Sequence, residues 1–342
     1  MDIKINIYAN AMRKTNMSKL KDRIIKRIKM TIDAFQCDCH FSIKLAFFRM
    51  ADDLLTRAKI KVIASFFHQK KDKLILNYLY RELKSVISKY RGRMYGGTYI
   101  KNAPIWVCWW SGIEDAPELV KQCIKSIQKN SGGHRVCFIS KETYEQYITL
   151  PDHILERFNE GNMCAAHFSD YLRYSLLEKY GGLWLDATIF VSQTLPEEYF
   201  ISPFFTCKSM IRETRFISKY RWTTFCIGGW KESLLFSFLK DSLEEYWKHN
   251  ELAIDYLIVD YLIEIAYNDI LSIREQIDKV PVNNPNRDDL QAAMNAAMKS
   301  DEINSVLKTK TVLYKLSWRE KYSLVTESGE KSIYAGFLEL QI

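Results

Sequence analysis

The stretch "HFSDYLRYSLLEKYGGLWLDATIFV", residues 167–191, sets Asp170, Arg173 and Asp186 around a pair of glycines. Asp170 and Arg173 are three residues apart, so on a helix they share a face. Asp186 lies in an apolar run, where a carboxylate without a partner would cost several kcal/mol. It is expected where a strand meets solvent, a cation or a ligand. Gly181 and Gly182 let the chain turn tightly from helix into strand. Two carboxylates and a guanidinium then converge at the carboxyl end of a sheet, the edge at which open α/β sheets bind ligands. These residue types suit a sugar nucleotide. A carboxylate can hold a divalent ion against a diphosphate, and an arginine donates in a fixed fork to phosphate or sugar oxygens. The same residues also fit a capped helix with a surface ion pair and an incidental strand aspartate, because clustered charges are only pointers to function.

The elements that must position these groups begin after Pro104. "IWVCWW" is a short β-prone run whose tryptophans offer a stacking plane, "APELVKQCIKSIQKN" is helical, and "HRVCFIS" is a second strand, which together make a β-α-β unit. "KETYEQYI" and "PDHILERFNEG" read as short helices. The spacing predicts a longer helix over 165–180 that Gly181 terminates. "LWLDATIFV" reads as one interior strand of a largely parallel sheet, apolar on both faces. Further strands are expected around "PFFTCKS" and "RWTTFCIGGW", helices over 233–249 and 254–268, and a closing segment "TVLYKLSWREKY". No internal repeat or low-complexity segment is visible.

The chain of 342 residues, 47% hydrophobic, is long enough for one large domain and a smaller appendage. Its charge is uneven: residues 1–100 hold 22 basic and 8 acidic side chains, whereas the remainder is net acidic. That asymmetry points to a basic lobe facing an anionic surface, either lipid or nucleic acid. Between Met17 and Ile32, Leu20, Ile24, Ile28 and Ile32 recur at four-residue steps among lysines and arginines. This is a basic amphipathic helix, fit for anionic headgroups or for packing on its own domain. "RGRMYGGTYIKNAP" punctuates the chain and sets an expected boundary: a basic helical region over 1–100 and an α/β domain over 101–342. The eight cysteines form no CxxC pair and read as reduced, mostly buried thiols of a cytosolic protein. "CDCH" at 37–40 lacks the second half of a metal site. No signal-peptide or membrane-span pattern is present; the run "YLIVDYLIEIAY" is broken by Asp260 and Glu264.

"FSDYLRYSLLEKYGGLWLDATIFV" resembles the signature of the bacterial capsular polysaccharide synthesis glycosyltransferases, relatives of the initiation α-mannosyltransferase and the glucosylating clostridial toxins. The resemblance extends through "PIWVCWWSGIEDAPELVKQCIKSIQKN", "HRVCFISKETYEQYI", "LPDHILERFNEG", "IDYLIVDYLI", "NNPN" and "KLSWRE", over about residues 104–320. It implies a glycosyltransferase-A type α/β fold, a Rossmann-like mixed sheet flanked by helices, here with a helical N-terminal extension. It implies transfer of a hexosyl group from a nucleotide sugar, UDP-hexose foremost, to a glycan or lipid-linked acceptor with retained anomeric configuration. By that similarity Trp109 stacks on the base, Asp170 and Arg173 contact ribose or donor sugar, and Asp186 lies at the diphosphate and its Mn²⁺ or Mg²⁺. Ser317 and Trp318 close over the diphosphate. Many relatives carry Asp-x-Asp where this chain has Asp186-Ala187-Thr188. Thr188 offers a neutral oxygen, which puts the divalent cation in doubt.

On the acceptor side the candidates are Asp260, on an otherwise apolar helix, and Trp230, at the end of the expected strand around "RWTTFCIGGW". Asp255, on the same helix as Asp260, is a candidate for the acceptor side or for orienting the C-terminal segment, against a plain solvated position; His167 reads as structural, and His134, beside a strand start, shows no partner in the sequence. With no second carboxylate evident beside the anomeric carbon, a front-face route fits better than a covalent glycosyl enzyme. A nucleic-acid partner is not expected, since the basic arm alternates with aliphatics rather than stacking aromatics. A lipid-linked acceptor explains both halves of the chain: a cytoplasmic enzyme whose basic region brings it to the anionic inner face of the cell membrane. The competing reading is a non-catalytic adaptor that binds nucleotide sugar at that surface.

Overall fold

The computed structural model describes residues 25, 29–210, 215–299, 301–307 and 309–339, without the side chains of 302, 304 and 307. The chain forms two compact units that part between Tyr78 and Leu79. This break in contacts comes earlier than the change of texture near residue 100. In the first unit residues 29–41 are helical. The helix Ile43–Arg57 follows, started by Ser42, whose hydroxyl accepts from the Lys44 amide at 3.2 Å. Asp38 is buried and takes Arg49 at 2.6 Å, and the Asp52 carboxylate meets His68 at 3.0 Å. The basic amphipathic helix expected over 17–32 lies mostly outside the described residues. No described helix is long and apolar enough to cross a membrane.

The second unit is built on a five-stranded mixed sheet of order β2-β1-β3-β6-β5. Its strands are β1 (Ile105–Cys108), β2 (Val136–Ile139), β3 (Gly182–Leu185), β5 (Phe204–Thr206) and β6 (Cys226–Gly229). β1 runs parallel to β2 and β3, while β6 is antiparallel to both β3 and β5. The helix Glu118–Lys129 crosses from β1 to β2 and buries Leu119, Val120, Cys123, Ile124 and Ile127, a stripe at helical spacing. Ile105, Val107, Leu183, Leu185 and Cys226 form the core that this helix covers. The Rossmann-like mixed sheet flanked by helices matches the expectation.

One expectation is corrected. "LWLDATIFV" is two strands, because the chain turns at 187–188, with the Ile189 amide donating to the Asp186 carbonyl at 2.9 Å. Beyond the turn β4 (Ile189–Val191) leaves the main sheet and pairs antiparallel with β7 (Leu313–Lys315), Ile189 facing Lys315. Apolarity continues across the turn because β4 enters the same core as β3, so hydropathy alone shows no break. The helix expected over 254–268 begins at Ile258, and Asp255 lies before it with its carboxylate accepting from the Leu257 amide at 2.8 Å. The "NNPN" block ties strands together: the Asn283 side chain accepts from the Lys208 amide after β5, and Asn284 donates to the Leu313 carbonyl of β7 at 3.0 Å.

Of the cysteines, all free, Cys123, Cys137, Cys207 and Cys226 are buried, whereas Cys39 and Cys164 are exposed. Mostly buried thiols were the expectation; half of them are.

Candidate functional site

The site starts from the helix Ala165–Tyr180 and the glycines that end it. Gly181 has φ 67° and its amide donates to the Leu177 carbonyl at 2.8 Å, closing the helix. Gly182 has φ 98°, and a Cβ there would stand 2.1 Å from the Pro104 carbonyl oxygen. Both positions need a left-handed backbone and admit no side chain, so the pair fixes how β3 leaves the helix. The Trp106 indole donates to the Gly181 carbonyl at 2.9 Å and locks the junction to β1.

That junction brings the second turn of the helix beside the far end of β3. Arg173, 4% exposed, donates through Nη1 to Asp170 and through Nη2 to Asp186 Oδ1 at 3.2 Å. The guanidinium lies 4.8 Å from the centre of the Trp184 ring, whose indole N–H also donates to Asp186 Oδ1 at 3.0 Å. On the other side Lys315, the last residue of β7, places Nζ 3.0 Å from Asp186 Oδ2 and 2.6 Å from Thr188 Oγ1. Phe225 floors the cluster: its carbonyl accepts from the Asp186 amide at 2.8 Å, and its ring centre is 5.2 Å from Lys315 Nζ.

The two carboxylates are driven apart. Burial alone would raise Asp186, but Lys315 and Arg173, with the hydrogen bonds from Trp184 and Lys315, outweigh it and hold the group below the usual range. For Asp170 burial wins over Arg173 and His167, and the carboxyl is raised. Cys108, which ends β1, shares this environment with Ser169, Arg173 and Asp186; burial lifts its thiol to about 12, which keeps it protonated.

Beyond Cys108, Trp109 meets Trp318 edge to face, ring centres 5.9 Å apart, and Trp318 is 42% exposed. Ser317 accepts from the Arg319 amide at 3.3 Å, in the same segment as Lys315. Asp260 accepts from the Trp222 indole at 2.8 Å and is raised to about 7, chiefly by burial, with Asp170 adding to the shift. Of the expected residues, Asp170, Arg173, Asp186 and Thr188 therefore form one cluster with Lys315. Trp109 pairs with Trp318, and Asp260 is within electrostatic reach of Asp170.

Trp230 is not brought to this cluster. It follows β6, whose Gly229 pairs with Gly182, so it stands at the opposite end of β3 from Asp186. There its indole donates to the Ile201 carbonyl at 2.9 Å and its ring lines a cavity of about 880 Å³ with Tyr95, Tyr199 and Phe204. His134 stacks on Phe200 and contacts the Ala103 carbonyl at 2.8 Å, a packed structural histidine. His167 lies between Cys164 Sγ at 3.3 Å and the Tyr256 carbonyl at 3.1 Å.

The sequence profile of the capsular polysaccharide synthesis protein family matches residues 57–336. The chain belongs to this family. A solved structure similar to this family member is the PaToxG glycosyltransferase, 14% identical, covering 70% of this chain and 94% of its own, with a TM-score of 0.35. No curated protein matches.

Three residues at or beside this cluster escaped sequence reasoning: Lys315, Trp184 and Tyr256. Lys315 ends an apolar strand with a cation, but the sequence does not tie it to Asp186, just past β3. Tyr256 is 63% exposed, and the charges of Asp170 and Asp186 bear on its hydroxyl. The donor set does not fit a divalent ion held by the protein. Both oxygens of Asp186 already accept from cations, Asp170 is paired with Arg173, and Thr188 accepts from Lys315. Among the described residues no group of three or more His, Cys, Asp or Glu side chains is arranged to hold a metal ion, whereas Mg²⁺ and Mn²⁺ ask for several uncommitted oxygens.

Proposed function

We propose that this chain is a glycosyltransferase that moves a hexosyl group from a nucleoside diphosphate sugar, UDP-hexose foremost, to a hydroxyl of a glycan or lipid-linked acceptor. The observation that carries the proposal is the charge cluster just past β3, where Arg173 spans Asp170 and Asp186 and Lys315 closes the far side. Trp109 and Trp318 lie beyond the adjacent strand end. Membership of a family named for capsular polysaccharide synthesis supports the same reading.

In this account the base lies against the Trp109–Trp318 wall and the diphosphate faces the cations. Asp170 orients Arg173 and, with it, meets the ribose or donor sugar. The bond from the anomeric carbon to the β-phosphate oxygen breaks with its electron pair leaving on oxygen. The acceptor oxygen attacks on the same face and passes its proton to the departing phosphate. Fixed positive charge where the leaving group becomes more negative lowers the barrier, because the protein need not reorganise to meet it. Asp260 faces this chemistry from the helix Ile258–Asp269, on the acceptor side. The basic residues of 1–100 draw the enzyme to an anionic inner membrane surface, where a lipid-linked acceptor is presented.

The test is hydrolysis and transfer with a panel of nucleoside diphosphate sugars, for the wild type and Asp186→Asn. Turnover of one donor that falls roughly 100-fold or more in the variant is expected, because Asp186 holds the Arg173 and Lys315 cations where they stabilise the leaving phosphate. Donor binding without turnover, even with acceptor lipid supplied, would favour the adaptor instead.

A further inference from the structure

We propose that the Lys315 ammonium is the resident cation of the donor site, standing where a divalent metal would be held, so that the diphosphate is bound without one. The inference rests on the glycosyltransferase reading and adds a residue to its machinery. Lys315 Nζ touches Asp186 Oδ2 at 3.0 Å and Thr188 Oγ1 at 2.6 Å, bridging the acidic and neutral positions of the Asp-Ala-Thr turn. Two carboxylates at these positions would together leave charge to spare for a dication. One carboxylate and one hydroxyl match a single ammonium, whose three protons can serve Asp186, Thr188 and one further acceptor.

The third proton is free to meet a phosphate oxygen, because the two assigned contacts leave it unused and the Lys315 side chain keeps 28% of its surface open. The position is built by the fold rather than reached by a loose side chain. β7 pairs with β4 in a register that sets Lys315 opposite Ile189, and its amide donates to the Arg287 carbonyl at 2.8 Å. The Phe225 ring beneath Nζ adds a cation–π contact. A dication beside Asp186 would instead be crowded by this ammonium and by Arg173. Thr188 in place of an acid and Lys315 at the end of β7 are thus two halves of one exchange, a protein cation for a metal ion.

The test is calorimetric binding of UDP, GDP, CDP, ADP and dTDP to the full chain in EDTA and in Mn²⁺, with Lys315→Met and Lys315→Arg beside the wild type. One diphosphate is expected to bind the wild type equally well in both buffers. Lys315→Met should bind it roughly 10- to 100-fold more weakly in EDTA, the scale of a lost charge-assisted hydrogen bond. Lys315→Arg should retain most of the affinity, which separates the charge from the side chain's packing, and thermal melting checks that both variants fold. Binding by the wild type that requires Mn²⁺ would overturn the Lys315 proposal and leave the glycosyltransferase reading standing. Unchanged affinity in a folded Lys315→Met would do the same. Failure of every diphosphate to bind in either buffer would overturn both.

Discussion

Gly182, at the start of β3, has room for nothing larger than hydrogen, with the Pro104 carbonyl 2.1 Å from where a Cβ would be. Asp186, just past the other end of the same strand, is instead ringed by three donors, from Arg173, Trp184 and Lys315. The first end is held by shape and the second by charge. Shape at the glycine end sets the angle between the helix and β3, and that angle brings Arg173 within reach of Asp186. The polar end can then keep a half-buried carboxylate ionised without the strand giving way.

This contrast is sharpened most by Gly182→Ala. A methyl group against backbone at positive φ has nowhere to move, so the variant is expected to lose about 4 kcal/mol or more, measured by urea unfolding. Arg173→Met acts at the other end. It strips both carboxylates of their shared cation, with an expected loss of about 3 kcal/mol and of donor hydrolysis. Arg173→Lys should recover part of the stability but not the donor binding, because the fork is lost. If Arg173→Met were neutral in the unfolding experiment, the account of the polar end would break.

Asp260 gives a pH-dependent version of the same contrast. Its carboxyl is raised to about 7 in the fold by burial, against about 3.9 in the unfolded chain. The neutral form is therefore the one the fold favours: its contribution is complete below the unfolded value and is lost as pH rises through 7. Between pH 5 and pH 8 the wild type should lose about 2 kcal/mol relative to Asp260→Asn in urea midpoints. Trp318→Ala removes a ring that is 42% exposed. Stability should hold within about 0.5 kcal/mol, while nucleoside diphosphate affinity falls about 10-fold, as for a lost stacking contact. Trp230→Ala, at the opposite end of the sheet, should leave that affinity unchanged; a clear loss there would put the donor at the wrong end.

Much of this site is legible in the sequence because its logic is local. The Asp170–Arg173 spacing needs only a helix, and Gly181 marks where that helix stops. The strand end near Cys108 follows from a short apolar run between helices, whereas hydropathy shows no break at Asp186. What is not legible depends on pairings between distant segments. Lys315 reaches Asp186 through the β4–β7 ladder, and nothing near residue 315 announces a carboxylate from a separate strand. The reassignment of "IFV" to a second sheet has the same cause. That Trp230 stands at the opposite end of the sheet from Asp186 is equally hidden, because strand direction is not written in composition: β6 runs against β3, which carries its final residues away from Asp186.

The most direct measurement is a crystal structure of the chain soaked with the nucleoside diphosphate that binds best. The account predicts phosphate oxygens on Lys315 and Arg173, with the base against Trp109 and Trp318. A nucleotide seated instead in the cavity beside Trp230 and Tyr199, with the Asp186 cluster untouched, would contradict it.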